Sequence, residues 1–324
     1  MTLNASIIGT GHYLPENTLD NTHLSKMVDT SDEWIQQRVG ITSRHIANET
    51  ETTTFMATRA AEQALAAAKL SADQLELIIC ATSTADYLMP SVASQVQTQL
   101  GIAGCMAFDV SAACSGFIYI LTIAEQFIKA GKVKNVLVIG SERMSRVTDW
   151  SDRGTCVLFG DGAGAAVLTA TEDDTGILAS KMHADGKDCE LLYVNNSLPK
   201  NAYQQDAEPA YLRMQGRAVF KQAVQMMGTI VDEVLDQAGY TKSDIDWLIP
   251  HQANERIIKA TADKLGMSMD QVVLTLGEQG NTSAATIGLA LDIAIRDGRV
   301  QPGQLVLLEA FGAGFVWGAL LIRL

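Results

Sequence analysis

The chain has 324 residues, enough for two core-forming units at roughly 100–200 residues each. Hydrophobic residues make up 47% and charged residues 19%, which fits a well-packed globular protein and argues against disorder. A formal net charge of −13 argues against nonspecific binding to nucleic acid or to a membrane surface, so an anionic partner has to meet a local basic patch.

The opening, "MTLNASIIGTGHYLP", carries neither a basic segment nor a long apolar core, so no secretory signal is expected. No apolar run approaches the ~18–20 residues that span a bilayer. "ASIIG" is a short buried strand. Gly9-Thr10-Gly11 after it lacks GxGxxG spacing and meets Pro15 too soon for a helix, so it reads as close backbone packing and not a phosphate loop. A helical pattern over 53–69 leads to the strand "LELIICAT". Another apolar run ends at Ser111 and passes through Cys114 into a helical pattern over 115–130. "NVLVIGSE" and "GAGAAVLTA" are further strands, and the glycines from Gly160 to Gly164 again read as packing. The polar stretch 185–208 reads as an exposed insertion. Beyond it, helical patterns over 216–238, 255–265 and 284–296 alternate with "DWLIPH", "QLVLLEAFG" and "GALLIRL". Buried strands alternating with helices indicate an α/β fold.

The chain repeats itself. "LAAAKLSADQLELIICAT" resembles "LDQAGYTKSDIDWLIPHQ", with Leu75 matching Ile245 at an offset of 170. "CSGFIYILTIAEQFIKAGKV" resembles "NTSAATIGLALDIAIRDGRV", with Cys114 matching Asn281 at an offset of 167. Two matches in the same order imply two similar α/β halves, 1–174 and 175–324, with Cys114 and Asn281 at equivalent strand-to-helix corners.

Three segments then carry candidate chemistry: "SAACSGF" with Cys114, "IPHQANER" with His251, and "GNTSAAT" with Asn281. Each has a plainer reading. Free cysteine is often simply buried, a lone histidine is often a bonded core residue, and Asn before Thr-Ser is a common helix cap. The reactive reading is that a helix N-terminus lowers the thiol's pKa, while small neighbours admit a substrate carbonyl. The cysteines Cys80, Cys105, Cys114, Cys156 and Cys189 are odd in number and show no CxxC pair, which favours reduced thiols in a cytoplasm over a disulfide framework or a zinc site.

From "GTGHYLP" through "TSDEWIQQRVGI", "SAACSGF", "DRGT", "FGDGAGAAVL", "IPHQAN" and "GNTSAA" to "EAFGAGFVWG", the chain resembles the thiolase superfamily. It most closely resembles the β-ketoacyl-acyl carrier protein synthase III family, which initiates fatty acid synthesis. The resemblance implies a five-layer αβαβα homodimer with a Cys114, His251 and Asn281 triad. It implies an oxyanion hole from the Cys114 and Ala313 N–H groups, and a coenzyme A site from Trp34, Arg38, Arg153 and Asn254. In it Trp34 and Arg153 sandwich the adenine and Arg38 reaches phosphate. The implied reaction is acylation of Cys114 by acyl-coenzyme A, then decarboxylative condensation with malonyl-acyl carrier protein. Coenzyme A thioester is then a substrate, and no cofactor is expected.

Arg256 and Lys221 match docking positions for the acidic carrier protein; Lys259 joins them as a candidate, and Lys264 beside Asp263 adds to the group. Met89 matches a position that lines the acyl pocket across the dimer interface. Rival readings are a relative using a longer starter or another acceptor, as in quinolone or polyketide synthesis, and a catalytically silent carrier-protein-binding subunit.

Overall fold

The structure is a computed structural model that describes residues 3–196 and 209–324, so part of the 185–208 insertion, from 197 onward, lies outside the described residues. The main-sheet strands of the first half are β1 (Asn4–Tyr13), β2 (Leu77–Ala81), β3 (Met106–Val110), β4 (Asn135–Arg143) and β5 (Asp161–Thr171). The strands that follow are β6 (Gly176–Ala184), β7 (Leu192–Val194), β8 (Leu212–Met214), β9 (Trp247–Pro250), β10 (Leu305–Gly312) and β11 (Val316–Arg323). The helices used below are α1 (Asp32–Val39), α2 (Thr53–Ala68), α3 (Val92–Gln99), α4 (Gly116–Lys129), α5 (Gly216–Ala238), α6 (Glu255–Leu265) and α7 (Thr286–Arg296).

The larger of the two main sheets runs β1-β5-β4-β2-β3 and the smaller β9-β10-β11-β6. Both are covered on each face, which is why their strands read as nearly unbroken apolar runs. Between the sheets, Phe117, Ile118 and Leu121 of α4 pack with Ile287, Ala290 and Leu291 of α7 against Ile79, Val138, Leu308 and Leu320. Outside the first sheet, Met56, Ala60 and Ala64 of α2 and Val96 of α3 cover Ile78 and Leu137. Outside the second, Ile230 and Val234 of α5 and Ile258 of α6 cover Leu248, Leu307 and Leu321. The result is the five-layer αβαβα architecture.

The glycine runs are packing devices, as the sequence indicates. A Cβ on Gly9 would strike the Ala64 carbonyl and one on Gly11 the Ala60 carbonyl, so β1 lies directly on α2. A Cβ on Gly164 would meet the Leu289 amide of α7. Strand β6 and helices α1 and α3 escape a periodicity reading. β6 is an edge strand of mixed burial, and the polar sequence VASQVQTQ of α3 offers only a narrow apolar stripe.

From Ala72 to Asn135 the internal repeat keeps an offset of 170. The short turns Ala72–Gln74 and Ala113–Ser115 match Lys242–Asp244 and Ser283–Ala285. Strand β4 likewise begins 170 residues before β10. Both corners are marked by a positive φ on a non-glycine residue, 44° at Ala113 and 50° at Ser283. Cys114 is therefore equivalent to Ala284, and Asn281 to Ser111, correcting the pairing of Cys114 with Asn281. A slip of three residues nearly preserves the apolar face of a helix with 3.6 residues per turn, so the sequence match tolerated it.

Candidate active site

Each reactive side chain sits where an element ends. Cys114 lies in the single turn that precedes α4, and the tight approach of β10 fixes it there. A Cβ on Gly312 would come within 2.7 Å of the Cys114 amide nitrogen. The Ser115 hydroxyl adds a 3.0 Å bond to the Val316 carbonyl. The Cys114 N–H is thus held against the turn that contains Ala313. His251 follows the last residue of β9, and its N–H donates to the Glu309 carbonyl at 2.7 Å. Asn281 is clamped by the first half of the chain: its N–H donates to Leu158 O at 2.8 Å, and its carbonyl accepts from Gly160 N at 3.1 Å.

All three side chains, with Ala313, line one cavity of about 910 Å³. It runs from the exposed Arg38 and half-buried Trp34 down to the buried His251 and Asn281. The Ser283 N–H donates to Asn281 Oδ1 at 2.8 Å, and a backbone N–H can only donate, so the amide orientation is settled. Nδ2, with two hydrogens, is left for the cavity. Asn281 is therefore both a local cap and a donor.

His251 Nδ1 lies 2.7 Å from Thr286 Oγ1, which also stands 3.1 Å from the Ser283 carbonyl. The one Thr286 hydroxyl proton selects the tautomer. Given to Nδ1, it leaves Nε2–H as a donor; given to the carbonyl, it leaves Nε2 as an acceptor. Burial drives the His251 pKa down to about 3, so the ring is neutral at physiological pH.

The helix-terminus argument expects a lowered thiol pKa, and the structure reverses that expectation for the resting site. Burial pushes Cys114 up to about 12; a hydrogen bond to Ser283 opposes the shift and the nearby Glu142 charge adds to it. A neutral thiol beside a neutral imidazole is the resting state. The Sγ contact runs to Ser283 Oγ at 3.6 Å, and Ser283 Oγ donates to Glu142 Oε1 at 3.0 Å.

At the mouth, Arg153 and Arg38 approach the Trp34 ring, their guanidinium carbons 5.0 Å and 5.7 Å from its centroid. Arg153 also donates to the Asp29 carbonyl at 2.8 Å. The expected pair that sandwiches a base is here stacked on itself, so a planar ligand has to displace Arg153. Asn254 caps α6 through Arg256 N at 2.9 Å, and its Nδ2 reaches Arg38 O at 3.3 Å, joining the end of α1 to the start of α6. Arg256 lines the cavity with its guanidinium 5.4 Å from the Phe220 ring centroid. Lys221 and Lys259 are exposed on the adjoining α5 and α6 but do not line the cavity. Lys264 folds across Gly228 of α5. Met89 is 82% exposed and outside this chain's cavity, next to exposed Tyr87 and Leu88.

The sequence reading missed several neighbours. Arg217, one turn before Lys221, lines the cavity. Leu192 and Val194, in the largely exposed insertion, also line it, because β7 pairs with β8 over the opening. Glu142 had a signal, as the only carboxylate in the apolar run "NVLVIGSE". Ser283 and Thr286 had none beyond lying within "GNTSAAT".

The family model for 3-oxoacyl-[acyl-carrier-protein (ACP)] synthase III matches residues 108–186, and the model for its C-terminal part matches 235–324. A beta-ketoacyl-[acyl-carrier-protein] synthase III of Thiobacillus denitrificans is 54% identical over 318 residues, 98% of each chain. One of Salmonella typhimurium is 55% identical over 317 residues, again 98% of each. The crystal structure of 3-oxoacyl-[acyl-carrier-protein] synthase III from Aquifex aeolicus superposes with a TM-score of 0.94 at 52% identity, covering 99% of this chain and 100% of that one. On these matches and its five-layer fold, the chain belongs to the 3-oxoacyl-[acyl-carrier-protein] synthase III family, thiolase-fold acyltransferases that carry out the condensation initiating fatty acid synthesis.

Proposed function

We propose that acyl-coenzyme A, acetyl first among its forms, acylates Cys114, and that malonyl-acyl carrier protein then condenses with the acyl group to give 3-oxoacyl-carrier protein, coenzyme A and carbon dioxide. The observation that carries this is the convergence of Cys114, His251 and Asn281 on one cavity, with the Asn281 amide turned inward. The Cys114 and Ala313 N–H groups receive the oxyanion of the first step. In the second, His251 Nε2–H, with Thr286 donating to Nδ1, and Asn281 Nδ2 hold the malonyl carbonyl oxygen as carbon dioxide leaves. A histidine titrating near 3 stays neutral throughout the physiological range, and Thr286 has to turn its proton from the Ser283 carbonyl to Nδ1 for Nε2–H to donate. Coenzyme A enters past Trp34, Arg38, Arg153 and Asn254 as part of a substrate, not as a cofactor.

The two halves, 1–174 and 175–324, form one site between them. The exposed Tyr87-Leu88-Met89 segment suits contact with a second copy of the chain, placing Met89 at the partner's acyl pocket. We place the enzyme in the cytoplasm: its cysteines are free, and among the described residues no helix is long and apolar enough to cross a membrane.

Intact-mass measurement after mixing with acetyl-coenzyme A, then release of carbon dioxide on adding malonyl-carrier protein, tests the reading. A silent binding subunit gains no acyl mass.

Arg256, Lys259 and Lys221 form the carrier-protein surface, and among the described residues none of them has an ion-pair partner. Because Arg256 also lines the cavity, Lys259→Glu separates the two substrates better. It is expected to raise KM for malonyl-carrier protein about 10-fold at low salt, with the difference shrinking as salt rises, while acylation by acyl-coenzyme A holds. Unchanged carrier-protein kinetics would reject this surface.

A further inference from the structure

Glu142 is the penultimate residue of the apolar strand β4 and is completely buried. Its Oε2 takes the Thr82 hydroxyl at 3.2 Å, the Ser83 N–H at 3.0 Å and the Thr84 hydroxyl at 2.5 Å. Those three bonds fasten the end of β4 to the loop after β2. Among the described residues Oε1 has one partner, the Ser283 hydroxyl, and that hydroxyl is also the partner of the Cys114 thiol. Ser283 gives its single proton to the carboxylate, so the thiol proton has only the Ser283 lone pair to meet.

We propose that Ser283 and Glu142 form the proton relay of Cys114. The proposal rests on Cys114 being the acylated nucleophile. As the thiol attacks, its S–H bond breaks and the proton joins Ser283 Oγ. The original Ser283 proton moves to Glu142 Oε1. The bond from Cys114 Sγ to the acyl carbon forms and that from the acyl carbon to the coenzyme A sulfur breaks. The departing thiolate, at the same carbon and beside Ser283, takes the proton back along the same path. Coenzyme A leaves as a thiol, and Glu142 returns to a carboxylate.

Three further observations favour this path over direct transfer to His251. No hydrogen bond between Cys114 and His251 occurs among the described residues, and Thr286 holds Nδ1. A histidine titrating near 3 is a poor base, whereas burial raises Glu142 above the ordinary carboxylate value. Ser283 also holds its place at a φ of 50°, unusual for a residue with a side chain, where the matching corner carries Ala113. The hydroxyl is therefore not demanded by the turn.

The experiment compares Ser283→Ala, Ser283→Gly and Glu142→Gln with the wild type. Alanine is already accommodated at the matching corner, glycine relieves the positive φ, and glutamine keeps the shape of Glu142 but cannot accept the proton. Two rates are read: single-turnover acylation from acetyl-coenzyme A, and alkylation of Cys114 by iodoacetamide, mapped by peptide mass. The second needs no acyl substrate, so it stands even if Cys114 proves not to be the acyl acceptor; wild-type acyl label found elsewhere than Cys114 would show that separate failure. All three variants are expected to lose about 10²-fold or more in acylation, the scale of a general base. Alkylation is expected to slow in parallel. Once fully acylated by long incubation, they are expected to release carbon dioxide from malonyl-carrier protein with a much smaller loss. Acylation within threefold of wild type in both Ser283 variants overturns the relay. So does loss confined to the Ser283 variants with Glu142→Gln unaffected, and so does equal loss of both half-reactions, which marks a structural role. If Glu142→Gln fails to fold, the two Ser283 variants decide.

Discussion

Replacing Cys114 by alanine is expected to abolish acyl transfer while leaving the fold intact. The corner itself accepts alanine, because Ala284 occupies the equivalent position of the second half and is buried there. The turn is held by backbone and by neighbours, with Ser115 bonded to Val316 and Gly312 against the Cys114 amide. Loss of one sulfur from a half-buried residue is expected to lower Tm by no more than about 3 °C in a chain of this size. Acylation is expected to fall on the order of 10⁵–10⁶-fold, as when a member of a catalytic unit is removed. The oxyanion donors remain, but nothing attacks. Peptide mapping of acyl label settles the assignment, since the Ser283 hydroxyl lies close to the sulfur. Stoichiometric label in the alanine variant would remove Cys114 as nucleophile, and its location would name the replacement.

Alternating strands and helices were readable because both sheets are covered on each face and the covering helices carry wide apolar stripes. The chemistry-bearing triplet was readable because Cys114, His251 and Asn281 stand at element ends, where side chains are free to face a cavity. What escaped depends on three-dimensional closure. The true repeat offset is set by two positive-φ corners at Ala113 and Ser283, and neither carries the glycine that announces such a conformation in sequence. Glu142 is 141 residues from Ser283, and Thr286 is 35 from His251, so no local pattern joins them. The thiol's raised pKa follows from burial depth, which the helix-terminus argument leaves out. The described part of the insertion is largely exposed, as its polarity indicates, but pairing of β7 with β8 also brings Leu192 and Val194 to the cavity.

Asn281 carries two duties, and paired substitutions separate them. Its Oδ1 satisfies the buried Ser283 N–H, while its Nδ2 is the free donor. Asn281→Ala removes both. Its backbone stays clamped between Leu158 and Gly160, so the corner persists, but an unsatisfied buried N–H costs about 1–3 kcal/mol and loosens Ser283. Acylation is therefore expected to fall modestly, by up to about 10-fold. Decarboxylation loses one of two donors on the developing enolate and is expected to fall by about 10²–10³, or roughly 3–4 kcal/mol. Asn281→Asp retains an oxygen for Ser283 N–H but replaces the donor with an acceptor that repels the enolate. It is expected to hold Ser283 in place yet lose decarboxylation at least as severely as the alanine variant. Single-turnover acylation and carbon dioxide release, measured on the same preparations, separate the outcomes. Recovery of decarboxylation in Asn281→Asp would mean that the side chain serves only to anchor the turn, and that His251 stabilises the enolate without it.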